Sequence, residues 1–340
     1  MDTQRDRLFI ALTKIVRGLT KPAEMASYLG QLGVDHRKYC VQPAMYPAVG
    51  QALIATLRAF AGSAFTPLAE QAWTSTYETA ARLMIKASQE AGASTPAYWT
   101  AQVVAHDKRT DRIAVLTVET DQPLPYQSGQ HVTVQTKRWP RVWRPYSIAC
   151  RPREDGLIRF HVKAVPGGWV SSALVNHTRV GDRLALGPAA GGMSLAAAGK
   201  RDLICVAGGT GLAPLKAIAE QIAIDEPSSR SRRHVLLFWG ARSEAELYDL
   251  KELWRLTETY PWLRVYPVVS AEQDYRGMQG DVGQVAARYL PNAECEAYVA
   301  GPAAMVWQTI TALSKAGQAI ERIHYDEALL VSRRPGGSGT

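Results

Sequence analysis

Between about residues 5 and 94 apolar residues recur at helical spacing: Leu8, Leu12, Ile15, Val16 and Leu19, then Met25, Tyr28, Leu29 and Leu32. Val49, Leu53, Ile54, Leu57 and Phe60 line a further face. After the start signal Thr66–Pro67 come Trp73, Tyr77, Ala80, Leu83, Met84 and Ala87. The spacing predicts an all-helical segment over 1–95. Gly92 to Pro96 breaks it, and the period then changes from 3.6 to 2.

Over 98–197 two runs alternate: Ile113, Val115, Thr117 and Glu119 against Ala114, Leu116 and Val118, and Ile158, Phe160, Val162 and Ala164. Short strands with Gly and Pro turns predict a small antiparallel barrel. Over 200–332 the apolar runs 203–207, 234–239, 263–269 and 296–300 alternate with helix-compatible stretches. That is the pattern of a parallel α/β sheet. The tail 333–340 has nothing to bury and is expected to be disordered. The fold class is therefore multidomain: all-α, then antiparallel β-barrel, then α/β.

Composition narrows the function classes. The 340 residues are 46% apolar and 21% charged, which is globular. A net charge of +8 is spread thinly over this length, and the densest basic runs are 137–144, 229–233 and Arg333 with Arg334. Without interleaved clustering they predict no nucleic-acid surface. Cys40, Cys150, Cys205 and Cys295 lie far apart, in no zinc, iron–sulfur or disulfide spacing. No window approaches twenty uncharged apolar residues. The expectation is a cytoplasmic chain with no membrane span.

The turn 207–214 (AGGTGLAP) follows a buried strand, where ligands bind parallel sheets and a helix start offers N–H groups to phosphate. Alone it fits a cofactor turn or a merely tight one. Upstream lie 126–131 (YQSGQH), 144–147 (RPYS) and 167–172 (GGWVSS). An arginine can pair with phosphate, an aromatic ring can cover a flavin face, and a serine hydroxyl can reach a flavin nitrogen.

With 301–305 (GPAAM) and 324–327 (HYDE) in this order, the motifs resemble the ferredoxin–NADP reductase superfamily over about 98–330. The resemblance implies an FAD site at Tyr126, Gln130, Arg144, Pro145, Tyr146 and Ser147. Arg144 would bind the pyrophosphate, Tyr146 would pack on the isoalloxazine, and Ser147 would sit near the flavin N5. Gly168, Val170 and Ser171 would hold the diphosphate. Gly208, Gly209, Thr210, Gly211, Pro214, Gly301 and Pro302 would receive the nicotinamide cofactor. Beyond the next strand Arg242 can meet a 2′-phosphate, whereas Glu244 and Glu246 repel one, so NADH is expected ahead of NADPH. Two positions depart from the family: Ala300 replaces a cysteine, and Ala328 replaces an aromatic residue.

His36 stands alone among the first 95 residues, and a lone histidine at a helix end is more often a cap than a ligand. Its context, 36–50 with Pro43, Tyr46 and Gly50, resembles the proximal segment of the bacterial flavohaemoglobins. Those proteins join a globin to this type of FAD/NAD module. The resemblance implies haem b on His36, a distal pair at Gln4 and Leu8, and Tyr46 assisting the proximal side. The carboxylate of that side falls on Ser88, with Glu90 two residues away.

The family's first helices have no counterpart here. Either the native start lies upstream, which four surviving positions favour, or haem binds weakly or not at all. The expected activity is NAD(P)H-driven nitric oxide dioxygenation, with nitric oxide and O2 as small-molecule substrates. The alternatives are a haem-free NADH:acceptor reductase serving a separate electron acceptor, and a haem gas sensor or docking module.

Overall fold

The computed structural model describes residues 9, 11–16, 18–195, 199–225, 233–291 and 294–326. Gln4, Leu8, Ala328 and the tail 333–340 lie outside them. The chain divides into two units, Met1–Trp99 and Thr100–Thr340.

The first unit is helical. Helices α1 (Pro22–His36), α2 (Tyr46–Ala61) and α3 (Pro67–Gly92) each carry proline in the first turn, where its missing N–H loses no helical bond. Thr66 caps α3, its hydroxyl accepting from Ala69 N–H at 3.2 Å. α1 packs on α3 around Leu29, Ala80 and Met84. Gly33 permits this: a Cβ there would lie 2.2 Å from the Met84 carbonyl oxygen. α2 buries only Gly50, against the Tyr77 ring. Val49 and Phe60 of its apolar stripe are 51% and 90% exposed.

The second unit opens with six antiparallel strands: β1 (Trp99–Thr110), β2 (Ile113–Thr120), β3 (His131–Thr136), β4 (Arg144–Ser147), β5 (Leu157–Lys163) and β6 (Arg183–Leu186). Their order is β4-β3-β6-β1-β2-β5, and a bridge from Ile148 to Phe160 brings the two ends together into a near-barrel. β2 departs from simple alternation. Ala114, Leu116 and Val118 are fully buried, yet so are Ile113 and Val115 on the opposite face. The helix α4 (Trp169–Asn176) packs on β2, β3 and β5, so this part of the barrel is covered outside as well as filled inside.

The α/β part runs β7 (Leu203–Gly208), α5 (Leu212–Asp225), β8 (Val235–Ala241), α6 (Leu250–Thr259), β9 (Leu263–Val269), β10 (Met278–Gln279), α7 (Val282–Ala287), β11 (Glu296–Ala300), α8 (Ala303–Lys315) and β12 (Ile323–His324). The sheet is parallel, in the order β10-β9-β8-β7-β11-β12. All six residues of β7 are buried. Leu203, Cys205 and Ala207 face the core with α5, while Ile204 and Val206 face the core with α7 and α8. Two covered faces explain a continuous apolar run.

A belt of polar side chains, centred on an ion pair within the α/β part, joins barrel to sheet. Lys216 of α5 lies 2.6 Å from Asp249, both side chains nearly inaccessible, and Arg109 of β1 reaches the same carboxylate at 3.8 Å. Lys163 of β5 pairs with Glu246 at 2.9 Å. Removing one partner of a buried pair strands the other charge, at a cost of about 3–5 kcal/mol. Asp249→Ala should therefore lower the unfolding free energy in urea by about that much. A loss under about 1 kcal/mol would show that the pair is not buried in solution.

Candidate functional site

The sheet's strand order reverses beside β7, whose neighbours are β8 on one side and β11 on the other. Crevices at such a point take nucleotides. Here the turn 208–211 leaves β7 and the turn 301–302 leaves β11, and the two touch backbone to backbone. A Cβ on Gly211 would lie 2.2 Å from the Ala300 carbonyl oxygen, and one on Gly208 would lie 2.9 Å from Met305 Cε. Gly209 holds φ +54°, and its carbonyl accepts from the Trp239 indole N–H at 2.9 Å. Only glycine tolerates both demands at little cost. Thr210 stands between them, and Pro214 is buried in the first turn of α5.

The barrel contributes β4 to the same place. Each of its four residues is half-buried, paired to β3 in the register Ser147 to His131 and Tyr146 to Val132. Pro145, Tyr146 and Ser147 line a cleft with Thr210, Gly211 and Gly301; His161, Met193, Ala300 and Asp326 complete its wall. The barrel's aromatic–hydroxyl pair and the glycine turn thus share one cavity. A flat redox ring on β4 and a second ring on the turn would meet there, which is the arrangement hydride transfer requires. The residues present fit both groups.

Other residues singled out in the sequence sit beside this cleft or away from it. Gln130 closes its own turn, accepting from Gln127 N–H at 2.8 Å and donating to the Gly191 carbonyl at 3.3 Å. Tyr126 donates to the Arg151 carbonyl at 2.6 Å, and burial first, then the Cys150 thiol, pushes its pKa up. Arg144 donates to the Trp143 carbonyl at 3.0 Å. Gly168 precedes α4, no side chain caps that helix, and Ser171 closes the turn by donating to the Gly168 carbonyl. Val170 is buried. Trp139 stacks on Trp169 at 4.9 Å, bringing the basic run 137–144 to the α4 start, where cations and free N–H groups favour an anion. Arg242 follows β8. Glu246 turns to Lys163; burial raises its pKa, but Lys163 outweighs that and the net direction is down. Glu244 N–H donates instead to Glu272 at 2.7 Å. Pro302 starts α8.

In the helical unit His36 Nδ1 lies 2.7 Å from the Leu32 carbonyl oxygen. That contact makes Nδ1 the donor and leaves Nε2 as the basic nitrogen, the tautomer a metal ligand needs. A cavity lined by Arg37, Gln42, Tyr46, Ile85 and Ser88 lies in the same unit. Burial raises the Tyr46 phenol's pKa, so it stays a donor. Among the described residues no carboxylate lines that cavity; Glu90 pairs with Lys86 at 3.8 Å. A basic Nε2 suits an iron ligand, but His36 is not among the residues that line this cavity.

Of three further wall residues, two had no sequence signal of their own. His161 is one polar residue in an apolar strand. Met193 sits in a loop. Asp326 belongs to the 324–327 motif, but its approach to His131 Nδ1, at 2.5 Å, is visible only in the fold. Gly211→Ala should weaken dinucleotide binding about tenfold or more, because the loop must shift to clear the Ala300 carbonyl. Titration with NAD+ checks this, and unchanged affinity would place the dinucleotide elsewhere.

Three family profiles match in succession: Globin over residues 1–84, Oxidoreductase FAD-binding domain over 100–193, and Oxidoreductase NAD-binding domain over 205–310. The xylene/toluene monooxygenase electron transfer component of Pseudomonas putida is 34% identical over 227 residues, 66% of this chain and 62% of that protein's own length. The chain therefore spans under two thirds of that relative. The flavohemoprotein of Deinococcus radiodurans is 29% identical over 310 residues, covering 83% of this chain and 73% of that one. The crystal structure of flavohemoglobin from Malassezia yamatoensis, with bound FAD and heme, shares the fold at a TM-score of 0.73 and 23% identity, over 88% of this chain and 79% of that one. The order of helical unit, near-barrel and parallel sheet agrees with all three profiles, and the chain belongs to the flavohemoprotein family, a partial globin domain fused to FAD-binding and NAD-binding oxidoreductase domains.

Proposed function

We propose that this chain is an NAD(P)H-dependent flavoenzyme that delivers electrons to haem b on His36 and oxidises nitric oxide with O2 to nitrate. The observation that carries the reading is the single cleft shared by Tyr146, Ser147, Thr210, Gly211 and Gly301. Bound FAD would supply hydride acceptance and one-electron delivery, and bound haem the oxygen chemistry. The chain's own residues bind and orient. Arg144 and the α4 start would hold the FAD diphosphate with Gly168, Val170 and Ser171. Ser147 would offer its hydroxyl to the flavin ring edge, and the glycine turn would admit the dinucleotide's phosphates. Gln130 would act through the turn it closes and Tyr126 through its bond to the Arg151 carbonyl. His36 offers Nε2 to iron while Leu32 holds its ring, and Tyr46 donates beside it. Gln4 and Leu8 would border bound oxygen.

Selectivity for NADH has support in charge. Glu244 and Glu272 lie together beyond β8, and both, after burial, raise the pKa of Tyr275. A 2′-phosphate there meets two carboxylates with Arg242 as counterweight. The haem-free reductase remains the second reading. It is favoured by the missing proximal carboxylate and by the exposed apolar stripe of α2.

Two measurements test these readings. Full-length protein supplied with FAD and haem should consume nitric oxide aerobically with NADH, and His36→Ala should lose the haem band while flavin reduction by NADH persists. Flavin reduction with no haem band in the wild type would instead select the second reading. The Glu244→Gln/Glu272→Gln double variant should raise kcat/KM for NADPH about tenfold relative to NADH. An unchanged ratio would exclude these carboxylates from cofactor choice.

A further inference from the structure

His161 stands at the centre of β5, pointing out of the barrel toward the sheet. It is 5% exposed. Its Nδ1 lies 2.8 Å from the Tyr248 hydroxyl, a contact between barrel and α/β part, and the two rings meet edge to face at 5.4 Å. Tyr248 in turn meets Trp239 edge to face at 5.4 Å, and Trp239 donates to the Gly209 carbonyl. One packed chain of rings therefore runs from His161 to the glycine turn. His161 also lines the cleft with Tyr146, Ser147 and Thr210. Its second nitrogen, Nε2, is buried and has no hydrogen-bond partner among the described residues. A buried polar atom left unmade is costly, and such atoms in a site are commonly satisfied by the ligand.

We propose that His161 is a ligand-binding residue of this cleft, whose Nε2–H, set by Tyr248 on the opposite nitrogen, donates to the amide carbonyl of a planar heteroaromatic ring. Tyr248 is buried, and burial first, then Asp249, raises its pKa, so it remains a phenol with an O–H to give, and the assignment takes that O–H as the donor to Nδ1. The proton of a neutral imidazole then resides on Nε2. Burial, followed by Lys216, Arg109 and Arg159, lowers the His161 pKa and keeps the ring uncharged. A neutral donor matches a carbonyl and has no charge to attract phosphate. Two amide-bearing rings are available to this cleft, the flavin's pyrimidine edge and the nicotinamide carboxamide. The assignment rests on the FAD- and NAD-binding part of the proposed function and not on haem.

Two substitutions separate the ring's two nitrogens. In His161→Gln the amide N–H2 stands near the former Nε2; in His161→Asn it stands near the former Nδ1. Each variant, as full chain, is titrated with FAD and, when flavin-loaded, with NAD+, using the flavin absorbance as readout and thermal unfolding as a check on folding. The expected result is affinity near wild type for His161→Gln and affinity about three- to tenfold weaker for His161→Asn, one lost neutral hydrogen bond. Loss in the FAD arm names the flavin as the ring, and loss in the NAD+ arm names the nicotinamide. Wild-type affinity for both ligands in His161→Asn overturns the proposal, as does equal loss in both variants, which would make the ring a spacer between the two parts. A wild-type chain that binds neither FAD nor NAD+ overturns the flavoenzyme reading and this assignment with it.

Discussion

The second unit depends on burying charge between barrel and sheet. Lys216 and Asp249 are nearly inaccessible at 2.6 Å separation, and each is the other's buried charge partner. Both residues belong to the α/β part, and the barrel joins them through Arg109, which reaches Asp249 at 3.8 Å. Arg109 and the Lys163–Glu246 pair extend the same constraint along β1 and β5. Apolar packing alone tolerates sliding, whereas paired charges fix register. The Lys163–Glu246 contact holds β5, which carries the cleft residue His161, against the α/β part that carries the turn 208–211.

Inside the cleft the polar groups are few and each has a defined support. Ser147 is held by pairing to His131, whose Nδ1 meets Asp326. Gly209 is held by Trp239, and His161 by Tyr248. Such support would hold a bound ring in place without a mobile side chain, which is how a protein contributes to chemistry that its cofactors carry. The thiols take no comparable part. Burial pushes Cys205 up to about 12, so it stays a protonated, unreactive packing group at neutral pH.

Much of the fold was legible because local sequence dictated it. The run 203–207 reads as a strand since both sheet faces are covered there, and Thr66–Pro67 marks the α3 start, where the hydroxyl does cap the helix. The glycine turn and the strand 144–147 were legible as motifs, and the fold brings them to one cavity. The belt was not legible. His161 and Tyr248 lie 87 residues apart, and Lys163 and Glu246 lie 83 apart, so no spacing rule connects them. Glu246 was read as repelling a phosphate, but its carboxylate is engaged by a lysine that only the barrel could bring. Periodicity likewise placed Val49 and Phe60 on an apolar face without saying whether anything covers it.

The central claim is that hydride passes within the cleft shared by β4 and the glycine turn. The direct test is anaerobic mixing of the FAD-loaded full chain with NADH and with NADH deuterated at the transferred position, followed at the flavin absorbance. The account predicts bleaching within one turnover, slowed by deuterium as a primary isotope effect, and slowed further when Ser147 is replaced by alanine. Absence of bleaching, or bleaching indifferent to both changes, would contradict it.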